Sequence, residues 1–340
     1  MNSRRLLLPL VPLYRSALAL RELRLRMGWE QTLHLRHPVI SVGNLTTGGS
    51  GKTPFTIALA RLLTGGGFYV DVLSRGYGRH SRQTARVLPN GSAEEFGDEP
   101  LLITREAGVP VYVGPQRYDA GLLAESDADL AVRDLQSPVV HLLDDGFQHR
   151  QLARDIDILL IDGVDFTEES LLPAGNLREP LDAIHRASVL AIPAEGAAAL
   201  ETSIRARIKW QGPVWRLQRR MDVPAVDGPI AAFCGIARPP QFFAGLQSAG
   251  LSLATQIAFP DHHTFTDRDV SRLLSGARAA GATALITTEK DLVRLGKFVA
   301  MIEREMSLKA AGLRITIENE QEALAWLQSR LARNSTDRAL

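Results

Sequence analysis

The chain has 340 residues, of which 45% are hydrophobic and 23% charged, with a net charge of +1. That length exceeds what one hydrophobic core usually serves, and the balanced charge excludes a basic field built for nucleic acid. A single cysteine, Cys234, excludes an internal disulfide framework and suits a reducing cytoplasm; beside Phe233 it reads as a small core residue.

Leu6 to Leu20 reads LLLPLVPLYRSALAL, flanked by Arg4 and Arg5 on one side and Arg21, Arg24 and Arg26 on the other. A spanning helix needs about 20 apolar residues, and Pro9, Pro12 and Arg15 interrupt this run. No small-x-small cleavage site comes before the charged RELRLR stretch, which argues against a signal peptide. Residues 1–28 therefore read as an amphipathic, basic segment on a membrane surface. The competing reading is a first helix packed on the domain's own core.

Short apolar runs then alternate with helical patterns. Pro38–Val42, Tyr69–Leu73, Val109–Val113, Val139–Leu143, Ile156–Ile161 and Ala187–Ile192 read as strands, and Thr53–Leu63 as a helix. Strands this continuously apolar belong in a parallel sheet covered on both faces. After about residue 225 a second block follows, with strands at Ile230–Phe233, Ala254–Phe259, Ala284–Thr287 and Leu313–Ile317. Its helices are Gln241–Ser248, Asp267–Ala280 and Glu320–Leu331. The polar, proline-containing stretch Arg216–Gly228 reads as the linker, and Asn334–Leu340 as a frayed tail. The chain thus divides into a segment 1–28, an α/β domain 29–220 and a smaller α/β domain 221–340, with the last helix free to pack back on the first domain.

The stretch from Val42 to Thr53, VGNLTTGGSGKT, lies between a strand and a helix, the context that a phosphate-binding loop requires. Gly48, Gly49, Ser50 and Gly51 would turn backbone N–H groups onto phosphates, helped by the positive end of the helix that follows. Lys52 would reach the β- and γ-phosphates of ATP, and Thr53 would ligate Mg²⁺. One departure stands out: Thr46 occupies the position where such loops usually carry glycine. The GG-x-GKT form resembles the loops of ParA/MinD-like switch ATPases. Those loops carry a lysine where this chain has Thr47, which disfavours that alternative.

Three acidic clusters lie at strand ends or in loops. The strand 139–143 ends in Asp144 and Asp145, placed to hold Mg²⁺ directly or through water, with Gln148 and His149 close enough to line the same site. Asp98 and Glu99 in GDEP suit a general base and a metal contact. Asp162 in LLIDG reads as a cap or turn residue. His262 and His263 in FPDHH are candidate partners for Asp98.

These residues converge on one family. The chain resembles the tetraacyldisaccharide 4′-kinases, through GNLTTGGSGKTP (43–54), LSRGYGR (73–79), GDEP (97–100), LLDDGFQH (142–149), DILLIDG (157–163), LLPAGNLREP (171–180), FPDHHTF (259–265) and TTEKD (287–291). The stretches run in order over most of the chain, and Thr46 is the family's own form. The resemblance implies a P-loop NTPase-like (RecA-like), mostly parallel α/β domain with a second, smaller α/β domain, and a site between them. It implies transfer of the ATP γ-phosphate to the 4′-hydroxyl of an acylated, phosphorylated glucosamine disaccharide, in lipid A biosynthesis. The chain would act as a peripheral protein at the cytoplasmic face of the inner membrane, and is expected to be a monomer. Asp98 would be the base, tuned by a histidine of the DHH segment, His262 in preference to His263. Glu99, Asp144 and Asp145 would manage Mg²⁺. Arg75, Arg117, Asn176 and Arg178, with Gln148 and His149 nearby, would contact the lipid's sugar and phosphate.

Overall fold

The computed structural model describes residues 3–131, 137–163 and 170–338. Ser3–Leu10 forms a 3₁₀ helix that runs into α1 (Val11–Arg26). Pro12 sits in the first turn of α1, where its missing N–H leaves nothing unsatisfied. No residue of α1 is fully buried. Val11 and Tyr14 lean on the core, and the Tyr14 hydroxyl donates to the Arg178 carbonyl at 2.8 Å. Leu6, Leu13, Leu20 and Leu23 stay exposed. One flank of the segment docks on the protein and the other presents leucines to the outside. Among the described residues, no helix is long and apolar enough to cross a membrane.

The elements that follow are β1 (Val39–Asn44), α2 (Lys52–Gly65), β2 (Tyr69–Ser74), β3 (Ala85–Arg86), α3 (Ala93–Phe96), α4 (Asp98–Ala107), β4 (Val111–Val113), α5 (Arg117–Ala131), β5 (Val139–Asp144) and β6 (Ile156–Leu160). A 3₁₀ turn at Leu181–Arg186 leads to β7 (Val189–Pro193), α6 (Ala197–Ile208) and β8 (Val214–Asp222). The chain ends with β9 (Ile230–Cys234), α7 (Pro239–Ser248), β10 (Leu253–Ala258), α8 (Asp267–Ala279), β11 (Ala284–Thr288), α9 (Glu289–Leu295), α10 (Phe298–Glu303), β12 (Ser307–Ile317) and α11 (Glu320–Arg338).

Among the described residues, twelve strands form one sheet in the order β10-β9-β11-β12-β8-β7-β6-β1-β5-β2-β4-β3. All six residues of β1 are buried, as are all six of β5, which matches their nearly continuous apolar runs. Ile40 and Val42 point into a core shared with Phe55, Leu59 and Leu63 of α2, while Val39 points to the opposite face with Leu73 and Leu143. Phe55 alone, fully buried, is worth about 2–3 kcal/mol of transfer free energy. Leu327 and Leu331 of α11 join the α2 core, so the last helix does pack back on the first block.

Apart from the antiparallel edge strand β3, the two blocks are each parallel, and they meet through an antiparallel pair. Residues 307–311 of β12 pair in parallel with β11, while residues 312–317 pair antiparallel with β8. The carboxyl end of β11, Thr288, lies beside Ala311, and that of β8, Asp222, lies beside Gly312. The carboxyl edges of both blocks therefore converge at the middle of β12. Ligands of open α/β sheets bind at such edges.

Two expectations need correction. Arg216–Asp222, read as linker, is the body of β8. Its outward side chains are charged because one face of that strand is wet, and the alternation hid in a short polar run. The expected division between residues 220 and 221 falls inside this strand. Asn334–Arg338 of the expected frayed tail continue α11; residues 339–340 lie outside the described residues.

Candidate active site

The loop after β1 takes conformations that only glycine adopts without strain at two places, Gly48 (φ 110°) and Gly51 (φ 84°). Gly51 precedes α2, whose first N–H groups have no side-chain cap and so face the loop's interior. The Ser50 hydroxyl is buried without a partner. Thr46 is explained by what clamps it: it bridges to Leu177, and Thr47 N–H donates to the Asn176 carbonyl at 2.8 Å. The GNLREP segment thus holds the start of the loop. Asn176, expected at the substrate, braces the loop through its backbone and side chain and does not line the cleft. Lys52 Nζ rests 3.0 Å from Asn44 Oδ1 and 3.5 Å from Asp145.

Beside the loop, β5 delivers Asp144 and Asp145. Asp144 is buried and accepts from Thr56 at 3.2 Å and from Ser74 at 3.4 Å. Burial, then Glu99 and Asp145, push its carboxyl up to about 7. Burial would raise Asp145 too, but Lys52, Arg178 and Arg117 outweigh it and keep its carboxyl below the ordinary range. Arg178 donates to Asp145 at 2.8 and 2.9 Å. Asp145 has φ 48°, a left-handed conformation costly for a side-chain-bearing residue.

Across the cleft, Asp98 opens α4 just after Gly97 (φ 91°). Its Oδ1 accepts from the Glu99 N–H, and its Oδ2 accepts from Arg294 at 2.6 Å and pairs with His262 Nδ1 at 3.1 Å. Burial alone would raise this carboxyl; the His262 hydrogen bond and the charges of Lys290 and Arg294 hold it well below the usual range. Asp98 sits just behind the cleft wall, and Glu99, His262 and Lys290 form the wall. Lys290 Nζ is 2.7 Å from Glu99 and 3.4 Å from His262 Nε2. Arg294 is fixed from behind by Asp291 at 2.9 Å. His262 also has a left-handed backbone (φ 57°). His263 turns away to Asp269 at 3.1 Å, so of the two histidines only His262 reaches Asp98. Lys290 and Arg294 carry no local signal of function in the sequence; the TTEKD match (287–291) includes Lys290 and stops short of Arg294.

A cationic wall completes the site. Arg117 is buried with its Nε unpartnered, and it lines the cleft with Arg75, Gln148, His149 and Arg178. Burial and the neighbouring arginines, Arg117 first, push His149 down to about 4, so it is neutral at pH 7. Gln148 Nε2 donates to the Asn44 carbonyl at 2.9 Å, tying this wall to the phosphate loop. The whole cleft encloses 870 Å³, room for a nucleotide and a sugar head group together. Of the residues expected at the site, Asp98 lies behind the wall and Asn176 behind the start of the phosphate loop; the others line it.

The sequence pattern of the family described as tetraacyldisaccharide-1-P 4′-kinase, LpxK, matches residues 3–332. The chain belongs to this family. A tetraacyldisaccharide 4′-kinase of Koribacter versatilis is 38% identical over 326 residues, covering 93% of this chain and 96% of that one. The one from Geobacter metallireducens is 39% identical over 304 residues, covering 85% and 88%. Among solved structures, the "apo" form of LpxK from Aquifex aeolicus, in complex with ATP, superposes with a TM-score of 0.71 at 32% identity, covering 96% of this chain and 99% of that one. As a tetraacyldisaccharide 4′-kinase, the chain is a phosphotransferase of lipid A biosynthesis that acts on a lipid disaccharide, and its fold is the mostly parallel α/β fold expected.

Proposed function

We propose that ATP lies with its phosphates in the loop 48–53 and that the lipid's 4′-hydroxyl is presented to its γ-phosphate by the Asp98–His262 pair on the opposite wall. The observation that carries this is the convergence of two carboxyl edges on one cleft, with Lys52 on one side and His262 on the other. Gly48, Gly49, Ser50 and Gly51 supply N–H groups and a buried hydroxyl to phosphate oxygens, and Lys52 compensates their charge. In a loose transition state the acceptor proton departs late, so a carboxylate of low basicity still serves as its sink. Asp98 is that sink, and His262 holds and tunes it. Arg75, Arg117, Arg178, Gln148 and His149 take the lipid's sugar and phosphate by charge-assisted hydrogen bonds.

The donor set fits Mg²⁺. A carboxyl pushed up to about 7 by burial and two neighbouring acids, as Asp144 is, regains its charged form beside a cation. Thr53 at the start of α2, Asp144, Asp145 and Glu99 would hold the ion. No three His, Cys, Asp or Glu side chains form a ready-made cage among the described residues, which suits an ion that keeps waters and phosphate oxygens as ligands. When bound, Mg²⁺ neutralises phosphate charge and fixes the phosphate geometry.

The division of labour runs along the sheet. The phosphate-loop half carries the nucleotide, and the smaller half beyond β8 brings His262, Lys290 and Arg294. The exposed leucines of the N-terminal segment, with Trp29 and Met27, would lie in the cytoplasmic face of the inner membrane as a peripheral anchor. Arg24 and Arg26 would sit near anionic head groups, at about 1 kcal/mol per charge. The chain would work as a monomer. The test is transfer from γ-labelled ATP to a tetraacyldisaccharide 1-phosphate in mixed micelles. Label on the lipid is expected; label released only as free phosphate would overturn the reading and favour a switch ATPase.

A further inference from the structure

Asp162, read from sequence as a turn residue, lies at the carboxyl edge just after β6, beside the phosphate loop. Two guanidinium groups converge on one of its oxygens: Arg238 Nη1 lies 3.0 Å and Arg219 Nη1 3.8 Å from Asp162 Oδ2. The two arginines differ in how they are held. Arg219, on β8, also donates to the Ser50 carbonyl of the phosphate loop at 3.2 Å. Arg238 precedes α7 in the smaller half and, among the described residues, is held by its contact with Asp162. A guanidinium has five N–H donors, and among the described residues one of those on Arg238, Nη1, is given to Asp162. The Arg238 side chain lines the cleft together with Gly48, Gly49 and Lys52. The residue before it, Ala237, packs against the loop: a Cβ built on Gly49 would stand 3.5 Å from the Ala237 Cβ. Two cations thus meet one carboxylate at the lip of the phosphate site.

We propose that Arg238 is a further phosphate ligand for the reaction, held on Asp162 when no nucleotide is bound and turned onto the triphosphate when ATP enters. Asp162 is then a holding residue that competes with the nucleotide for the same guanidinium. Arg219 stays on the loop carbonyl and keeps Asp162 in place. The arginine comes from the half that also carries His262 and Lys290, so ATP draws the acceptor-side machinery toward the phosphate loop. This rests on the assignment of loop 48–53 to ATP, which the binding of ATP to the unaltered chain checks separately.

The experiment is calorimetric titration of the full chain with ATP and with ADP, each with Mg²⁺, for R238Q, R238K and D162N. R238Q is expected to weaken ATP at least tenfold while weakening ADP less, so that the preference for the triphosphate falls. R238K should restore part of that preference, since charge is kept and the planar fork is lost. D162N removes the competitor and should leave ATP binding unchanged or tighten it severalfold. If instead D162N and R238Q weaken ATP and ADP alike, the three residues are a structural brace and the proposal fails. An unchanged ratio of ATP to ADP affinity in both Arg238 variants overturns it as well. Failure of the unaltered chain to bind ATP would strike the loop assignment, not this one.

Discussion

Asp71→Asn tests how the strand register that builds the acidic wall is held. Asp71 of β2 and His141 of β5 are direct partners in the parallel ladder, and both are fully buried. The imidazole Nδ1 lies 2.8 and 2.9 Å from the two Asp71 oxygens, and Nε2 lies 3.7 Å from Glu125. Burial alone would lower the pKa of His141; Asp71 first and Glu125 second overcome it and push the group up to about 9. The folded chain therefore binds this proton more tightly than the unfolded chain, whose histidine titrates near 6.5. The resulting stability is complete below about pH 6.5, declines above it and is gone once the pH has passed about 9. The span from 6.5 to about 9, at about 1.4 kcal/mol per pH unit, amounts to about 3 kcal/mol. Asp71→Asn removes the main partner but leaves Glu125, and it also relieves the burial that pushes the Asp71 carboxyl up, so it should cost part of that amount at pH 6 and less at pH 10. Urea unfolding followed by tryptophan fluorescence between pH 6 and 10 reads both chains. The unaltered chain should lose stability across this window, and the variant should run flatter. Parallel curves would refute a charged His141, because only its proton creates the difference in slope.

Lys52→Ala should lower kcat by about a hundredfold or more, since the transferring charge loses its fixed cation; a near-normal kcat in the label-transfer assay would remove Lys52 from the phosphate site. Asp98→Ala should cost about 10²–10⁴ in kcat with little change in ATP affinity, and the reverse pattern would make Asp98 a nucleotide contact. Gly51→Ala forces a side chain into a left-handed conformation with its Cβ 3.3 Å from Ile315 Cδ1, a strain of about 1–2 kcal/mol that should appear as weaker ATP binding and a melting temperature lower by a few degrees. Removing residues 1–26 should abolish most activity on lipid vesicles while ATP binding persists; full activity on vesicles would show that the exposed leucines serve another purpose.

The chemistry was more legible in the sequence than the architecture. A phosphate loop, a strand ending in two aspartates and an Asp-Glu pair after glycine are local patterns, because phosphates and metal ions are gripped by neighbouring residues in fixed loops. The reach of His262 to Asp98 was readable only as a candidate pairing, since 164 residues separate them. Lys290 and Arg294 are charged positions on α9 that look like surface until α4 is placed against them. Arg216–Asp222 failed as a strand because a half-wet strand rich in arginine carries the composition of a linker. The Asp71–His141 pair left a faint sign: one polar residue inside each of two otherwise apolar runs, YVDVL and VVHLL.

The mid-strand crossing of β12 sets the gauge of the cleft. Because Ala311 answers to β11 and Gly312 to β8, the separation between the two carboxyl edges is written in the number of residues between those contacts, at about 3.4 Å each. Adding two residues there would keep every side chain on its own face yet move His262 and Lys290 nearly 7 Å from the phosphate loop and from Asp98. One strand is thus the ruler against which the reach of phosphoryl transfer is measured, and its length is as much a part of the active site as any side chain in it.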